Sequence, residues 1–177
     1  GEQRGTLLAF AVFIMMFVIY TGNHPAGFNA NVVTTAANKG VLLALIAIAQ
    51  TFVVLTAGID LSIGMIFILC NCVASYIVVG TALEATLGVF GVLLTGLACG
   101  APNGLIVIYG RLQPIVTTIA TGAAFFGIAL LLRPFPGGAV HEGLADFLTG
   151  QLPGGIPASA VALLVVGLVM WIPFGKS

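Results

Sequence analysis

Thr56-Ala57-Gly58-Ile59-Asp60-Leu61-Ser62-Ile63-Gly64 sets a carboxylate between two long apolar runs, in a chain of 177 residues with only 6% charged side chains. An ionisable group at a membrane helix centre costs about 2.5–3.5 kcal/mol on insertion scales, so one that is kept there usually has a job. Two readings of the stretch stand side by side. In one it is a helix-to-helix turn, where Gly58 ends the first helix in a left-handed conformation and Asp60 or Ser62 caps the next. In the other the same break is a functional hinge or an element of a pathway.

The runs on either side decide the class. The chain is 60% hydrophobic with a mean hydropathy of +1.22, and five Lys or Arg balance five Asp or Glu. Ten charged side chains cannot cover that much apolar surface in a soluble fold. An all-α integral membrane protein follows, a polytopic helical bundle of about six transmembrane spans. The 24 glycines suit helices packed closely in lipid. Zero net charge without a basic block excludes nucleic acid as a partner. Cys70, Cys72 and Cys99 fall inside apolar runs and give neither a disulfide framework nor a zinc site, so they read as small packing residues. The run after Arg4 is long for a signal peptide and lacks a small-x-small cleavage site, so it reads as a retained first span.

The expected spans are Thr6–Tyr20, Gly40–Ala57, Ser62–Val79, Leu87–Tyr109, Ile115–Leu132 and Ala158–Pro173, the last with Trp171 as an interfacial anchor. Thr21–Asn38 is expected to be a loop leading into a helix start, Gly80–Thr86 a short exposed link, and Phe135–Pro157 the longest polar excursion. Polar groups recur inside the spans: Gln50-Thr51, then Asn71 on a stripe with Gly64, Ile68 and Ser75, and later Thr117, Thr118 and Thr121. Gly96-x-x-x-Gly100-x-x-x-Gly104 forms a small-residue ladder with Pro102-Asn103 inside it. A cytoplasmic N-terminus puts Arg4, Arg111 and Lys176 inside against Lys39 and Arg133 outside, and with them the Asp60 turn on the cytoplasmic side.

Enzymatic motifs are missing. Gly175-Lys176-Ser177 ends the chain without the upstream glycine or the following helix of a phosphate loop. No H-E-x-x-H, nucleophile elbow or carboxylate pair on one helix occurs, and His24 and His141 are too few for a metal site. Neither a catalytic residue nor a cofactor or metal ligand is assigned. Transport by such a chain would draw its energy from an ion gradient or from a partner.

Gly58-Ile59-Asp60-Leu61-Ser62-Ile63-Gly64 resembles the G-I-D-L-S-x-G signature of the ribose-type ABC permease family, the membrane subunits of bacterial importers for monosaccharides and related solutes. Gly100-Ala101-Pro102-Asn103-Gly104-Leu105 is similar to the family's G-x-x-N-G-L segment, and Arg111-Leu112-Gln113-Pro114-Ile115-Val116-Thr117-Thr118 to its R-L-P-P-F-I-x-T-L stretch. Pro173-Phe174-Gly175-Lys176 resembles the T-x-F-G-R that follows the middle spans. Ala57 departs from the pattern where a second glycine is common, and Gln113 replaces the first of two prolines. Family members are also about twice as long, so residues 1–177 correspond to the N-terminal portion of a transmembrane permease domain, without the half that carries the coupling loop.

The resemblance implies a multi-pass protein of the bacterial inner membrane, embedded in the lipid bilayer. A second permease subunit, identical or different, would complete the pathway. Cytoplasmic ATP-binding subunits would drive alternating access, and an extracytoplasmic solute-binding protein would deliver substrate. It makes Gly58, Asp60, Ser62 and Gly64 the signature-turn residues and puts Asn103 and Thr117 at family-type positions. Polar or aromatic faces with no reason to meet lipid make Asn71, Asn103, Thr118 and Phe126 the expected substrate-pathway residues. Two rival readings carry different expectations: half of an ion-coupled secondary transporter, with Asp60 as a proton or sodium site, or a scaffold subunit whose glycine ladders serve only contacts.

Overall fold

The computed structural model describes residues 2–25, 27–153 and 156–174. Among these, α1 covers Glu2–Asn23, α2 Ala30–Leu55, α3 Ile63–Ile77, α4 Ala82–Gly110, α5 Pro114–Leu132, α6 Glu142–Thr149 and α7 Ala158–Phe174. Two short strands, β1 (Gln151–Leu152) and β2 (Ile156–Pro157), pair antiparallel between α6 and α7. The side chains of Trp171, Pro173 and Phe174, and the whole of Gly175 and Lys176, lie outside what is described.

Helices α2, α4 and α5 are long and apolar enough to cross a membrane. Shorter apolar stretches, Leu7–Asn23, Ile63–Ile77 and Ala158–Leu168, lie in α1, α3 and α7, which gives the expected set of six hydrophobic helices. With 15 residues, α3 is the shortest of them. At 1.5 Å per residue it reaches about 22 Å, less than the roughly 30 Å of a bilayer's hydrocarbon. If Ile77 stands at one surface, the turn before α3 therefore lies within the apolar layer.

That helix is wedged between α4 and α5. Leu69, Cys99 and Ala129 are buried together, one from each helix, with Ile66, Cys72, Val73 and Phe125 packed around them. Two of the three cysteines thus serve as small core residues. The α3–α4 contact is closest at Gly88, where a Cβ would overlap the Ile77 carbonyl. The expected ladder behaves differently along its length. Gly96 faces Cys70, but a Cβ on Gly100 or Gly104 would meet nothing within 4 Å. The intimate glycines lie nearer the N-terminus of α4 than the repeat suggested.

Two boundaries differ from the expectation. Helix α2 begins at Ala30, well before Gly40, because the Asn29 side chain accepts the Val32 N–H at 2.9 Å and caps it. The polar residues that read as a loop sit on its first turns and bind other elements. Asn38 donates to the Thr149 carbonyl and accepts from Ser159, and Thr34 accepts from Gln151. The expected link at Gly80–Thr86 is mostly the start of α4: Thr81 and Glu84 form a reciprocal capping box, and Gly80, at φ 83°, turns the chain. Where α4 ends, Arg111 is left-handed at φ 52°, and Pro114 opens α5 at its first position, as expected of that turn. At the opposite end of the bundle the segment after α5 is tied down by the His141 N–H on the Val78 carbonyl, 2.7 Å. The His141 imidazole then caps α6 through the Leu144 N–H.

Candidate functional site

Helix α2 stops in a Schellman arrangement. The Ala57 N–H donates to the Val54 carbonyl and the Gly58 N–H to the Val53 carbonyl. The left-handed residue is Ala57, at φ 58°, and not Gly58 as the sequence suggested. Gly58 is needed for a different reason: a Cβ there would press on Val53, 3.3 Å from Cγ1 and 3.4 Å from its oxygen. The glycine common at position 57 in the resembling family answers the backbone angle seen here.

Beyond Gly58 the chain reaches Asp60, which organises the start of α3. One carboxylate oxygen accepts both the Ser62 N–H, at 2.7 Å, and the Ser62 hydroxyl, at 2.6 Å. The Ser62 carbonyl in turn takes the N–H groups of Met65 and Ile66. Ser62 itself is the N-cap residue without a capping side-chain bond, so the cap is Asp60 acting through its neighbour.

Three surrounding helices grip the turn. From α2, the Gln50 amide, oriented to satisfy both groups, donates to the Asp60 carbonyl at 3.0 Å and accepts its N–H at 3.3 Å. From α4, Asn103 donates through Nδ2 to the Ser62 hydroxyl oxygen at 2.7 Å. From α5, the Thr118 hydroxyl accepts the Leu61 N–H at 3.0 Å while donating to the Pro114 carbonyl at 2.8 Å. Gly122, one turn on, lets Ser62 come close: a Cβ there would stand 3.2 Å from the Ser62 Cα. Ser62 is wholly buried, and Asn103 and Thr118 nearly so.

Proton bookkeeping gives the network a direction. A carboxylate only accepts, so the Ser62 hydroxyl hydrogen goes to Asp60 and its oxygen is left to accept from Asn103. Among the described residues the Asn103 oxygen then finds no partner, and neither does the Thr117 hydroxyl oxygen on α5. Each such buried orphan costs about 1–3 kcal/mol. Charge-assisted bonds at the carboxylate, about 1.5–3 kcal/mol each, offset that loss.

Of the residues predicted from sequence, Gly58, Asp60, Ser62, Asn103 and Thr118 converge here. Gly64 lies in the first turn of α3, exposed and with open space around its Cα. Asn71 is exposed two turns further along α3, and Phe126 is exposed on α5 beyond Gly122; neither joins the network. The stripe of Gly64, Ile68, Asn71 and Ser75 is mostly uncovered, with only Ser75 half-buried and bonded to the Cys72 carbonyl. Sequence reading singled out Gln50 as a residue that bonds a neighbouring helix or faces a water-filled path without naming its partner, and it left out Gly122. A glutamine in the last turns of α2 does not announce that its partner is the backbone of Asp60, and a lone glycine in a helix carries no signal of what approaches it.

A family model described as branched-chain amino acid transport system / permease component matches residues 32–176. The chain is 27% identical over 183 residues to autoinducer 2 import system permease protein LsrD from Escherichia coli O9:H4 (strain HS). The proteins of that name from Escherichia coli (strain K12) and Shigella flexneri match equally. Each alignment takes in 99% of this chain and 55% of the relative, so the chain spans about half the length of the curated relatives it matches. No solved structure matches. The family match runs through the capped turn, the three-helix core around it and the α6–hairpin segment, and on that extent this multi-pass chain belongs to the branched-chain amino acid transport system / permease component family.

Proposed function

We propose that this chain is the N-terminal half of the membrane-spanning subunit of an ATP-binding-cassette importer for a monosaccharide or related small polar solute. The observation that carries the reading is the permease family match across residues 32–176. Relatives named for autoinducer 2 import suit a solute of that size and polarity. The partners are a second permease subunit, cytoplasmic ATP-binding subunits and an extracytoplasmic solute-binding protein. Hydrolysis of ATP belongs to the partner, since this sequence carries no phosphate-binding loop. The membrane is the bacterial inner membrane, with the Asp60 turn toward the cytoplasmic side.

Burial supports a division of labour among the pathway residues. Asn71 and Phe126 stand on uncovered faces of α3 and α5 and line the route. Asn103 and Thr118 hold the turn from behind it. Transport then rests on α3 moving as a rigid piece with its turn, since Gln50, Asn103 and Thr118 fix that turn from three sides.

Uptake by the full-length permease, reconstituted with its partner subunits, tests the reading. Uptake is expected to stop on ATP depletion and to persist when ion gradients are collapsed. The reverse pattern sinks it in favour of an ion-coupled carrier. Asn71→Leu is expected to lower uptake without changing thermal stability, and unchanged uptake removes Asn71 from the pathway.

A further inference from the structure

Among the described residues, two buried polar atoms on the helices that hold the turn have no partner: Oδ1 of Asn103 on α4 and Oγ1 of Thr117 on α5. The residues are 5% and 4% exposed, and their helices pack directly on each other. Buried polar atoms in native folds are nearly always paired, so two orphans on adjoining helices need an explanation. Their hydrogen-bonding characters are complementary. Asn103 has committed its amide nitrogen to Ser62 and keeps an acceptor, while Thr117 has a hydroxyl hydrogen to give.

Thr117 is also the exception among its neighbours. Thr118 and Thr121 return their hydroxyl hydrogens to carbonyls four residues back, at 2.8 and 3.0 Å. The corresponding carbonyl for Thr117, on Gln113, takes its backbone N–H at 3.1 Å but not its hydroxyl. The surroundings allow movement. Pro102, directly before Asn103, deletes a helix hydrogen bond and gives α4 a bend point. Gly122 leaves no Cβ between α5 and the turn.

Resting on the importer reading above, we propose that Thr117 is a positioning residue of the transport cycle, whose hydroxyl donates to the Asn103 oxygen in the alternate conformation and draws α5 onto α4. In the present conformation that pair is open. The bond exists in one state and not in the other, so it biases the equilibrium between them. Removing the hydroxyl shifts that equilibrium and leaves the present fold intact, because nothing in it is bonded to the group.

Thr117→Val preserves shape and removes the hydroxyl. In the full-length permease reconstituted with its partners, the expected result has three parts. The melting temperature equals or exceeds that of the unmutated protein, uptake per ATP hydrolysed falls about fivefold or more, as a coupling bond of ordinary size implies, and Thr117→Ser restores it. Asn103→Leu also strips Ser62 of its donor, so the double variant is the cleaner control: adding Thr117→Val to Asn103→Leu is expected to lower uptake no further. Thr117→Val that transports normally overturns the proposal. So does a loss of uptake matched by a lower melting temperature, or additive losses in the double variant. If the unmutated complex shows no ATP-driven uptake, the importer reading fails and this inference with it; normal uptake beside an equally active Thr117→Val removes this inference alone.

Discussion

Ala57 holds a left-handed backbone at φ 58°, a conformation that costs an L-residue with a Cβ about 1–2 kcal/mol. Ala57→Gly is therefore expected to stabilise the protein by about 1 kcal/mol, read as a higher melting temperature in detergent. Ser62 sits at the other end of the same turn and has the opposite sensitivity. Ser62→Ala leaves the Asn103 amide without its acceptor and removes one bond to Asp60, and a loss of about 1–3 kcal/mol is expected in the same measurement. The stretch from Thr56 to Gly64 was legible as a capped turn because Asp and Ser at that spacing have few other uses between apolar runs. Which residue would be left-handed was not legible, since Ala57 and Gly58 are adjacent and the steric pressure on Gly58 comes from Val53 folding back beneath it. Nor was the Asn103–Ser62 bond, which joins positions 41 residues apart and depends on how two helices cross.

At the scale of elements, the α3–α4 contact distinguishes glycines that look alike in the sequence. Gly88→Ala would drive a Cβ into the Ile77 carbonyl and is expected to cost about 1–3 kcal/mol, as overpacking does. Gly100→Ala meets open space in this chain and gains helix propensity, so it is expected to be neutral or stabilising by up to about 1 kcal/mol. Thermal melts of the two variants side by side check the pair, and equal losses would mean that α4 packs through its second half instead. The i, i+4 repeat was visible in sequence but not the face it occupies, because three glycines spaced by four mark a side of α4 without naming a neighbour. The start of α2 was misplaced for a related reason. Thr34 and Asn38 look like loop residues until the hairpin and α7 supply their partners.

Across the whole molecule, the buried residues concentrate around α3, while most leucines and phenylalanines of the other helices face outward, as a bundle bathed in lipid requires. Polar exposure on α3 then stands out. In an otherwise cysteine-free full-length permease, Asn71→Cys is expected to react with a membrane-impermeant thiol reagent and to be protected by solute. Leu93→Cys, on an exposed face of α4, is expected to stay unlabelled. Labelling at both positions would mean that water reaches faces that lipid should cover. Class was legible from composition and the number of hydrophobic helices from the apolar runs; the packing order of the helices was not, since it is set by crossings such as Gly88 on Ile77 that no periodicity encodes.

The brevity of α3 bears on how the protein is made. Fifteen mostly apolar residues opening on a carboxylate form a poor stop for membrane integration, short of the roughly 20 that partition stably as a single span. Its polar entry is bonded within the turn through Asp60 and Ser62, from behind by Gln50, and by Asn103 and Thr118, which are synthesised later. The grip on the turn is complete only once α4 and the first turns of α5 have followed α3, so α2 through α5 are expected to settle in the bilayer as one cooperative package.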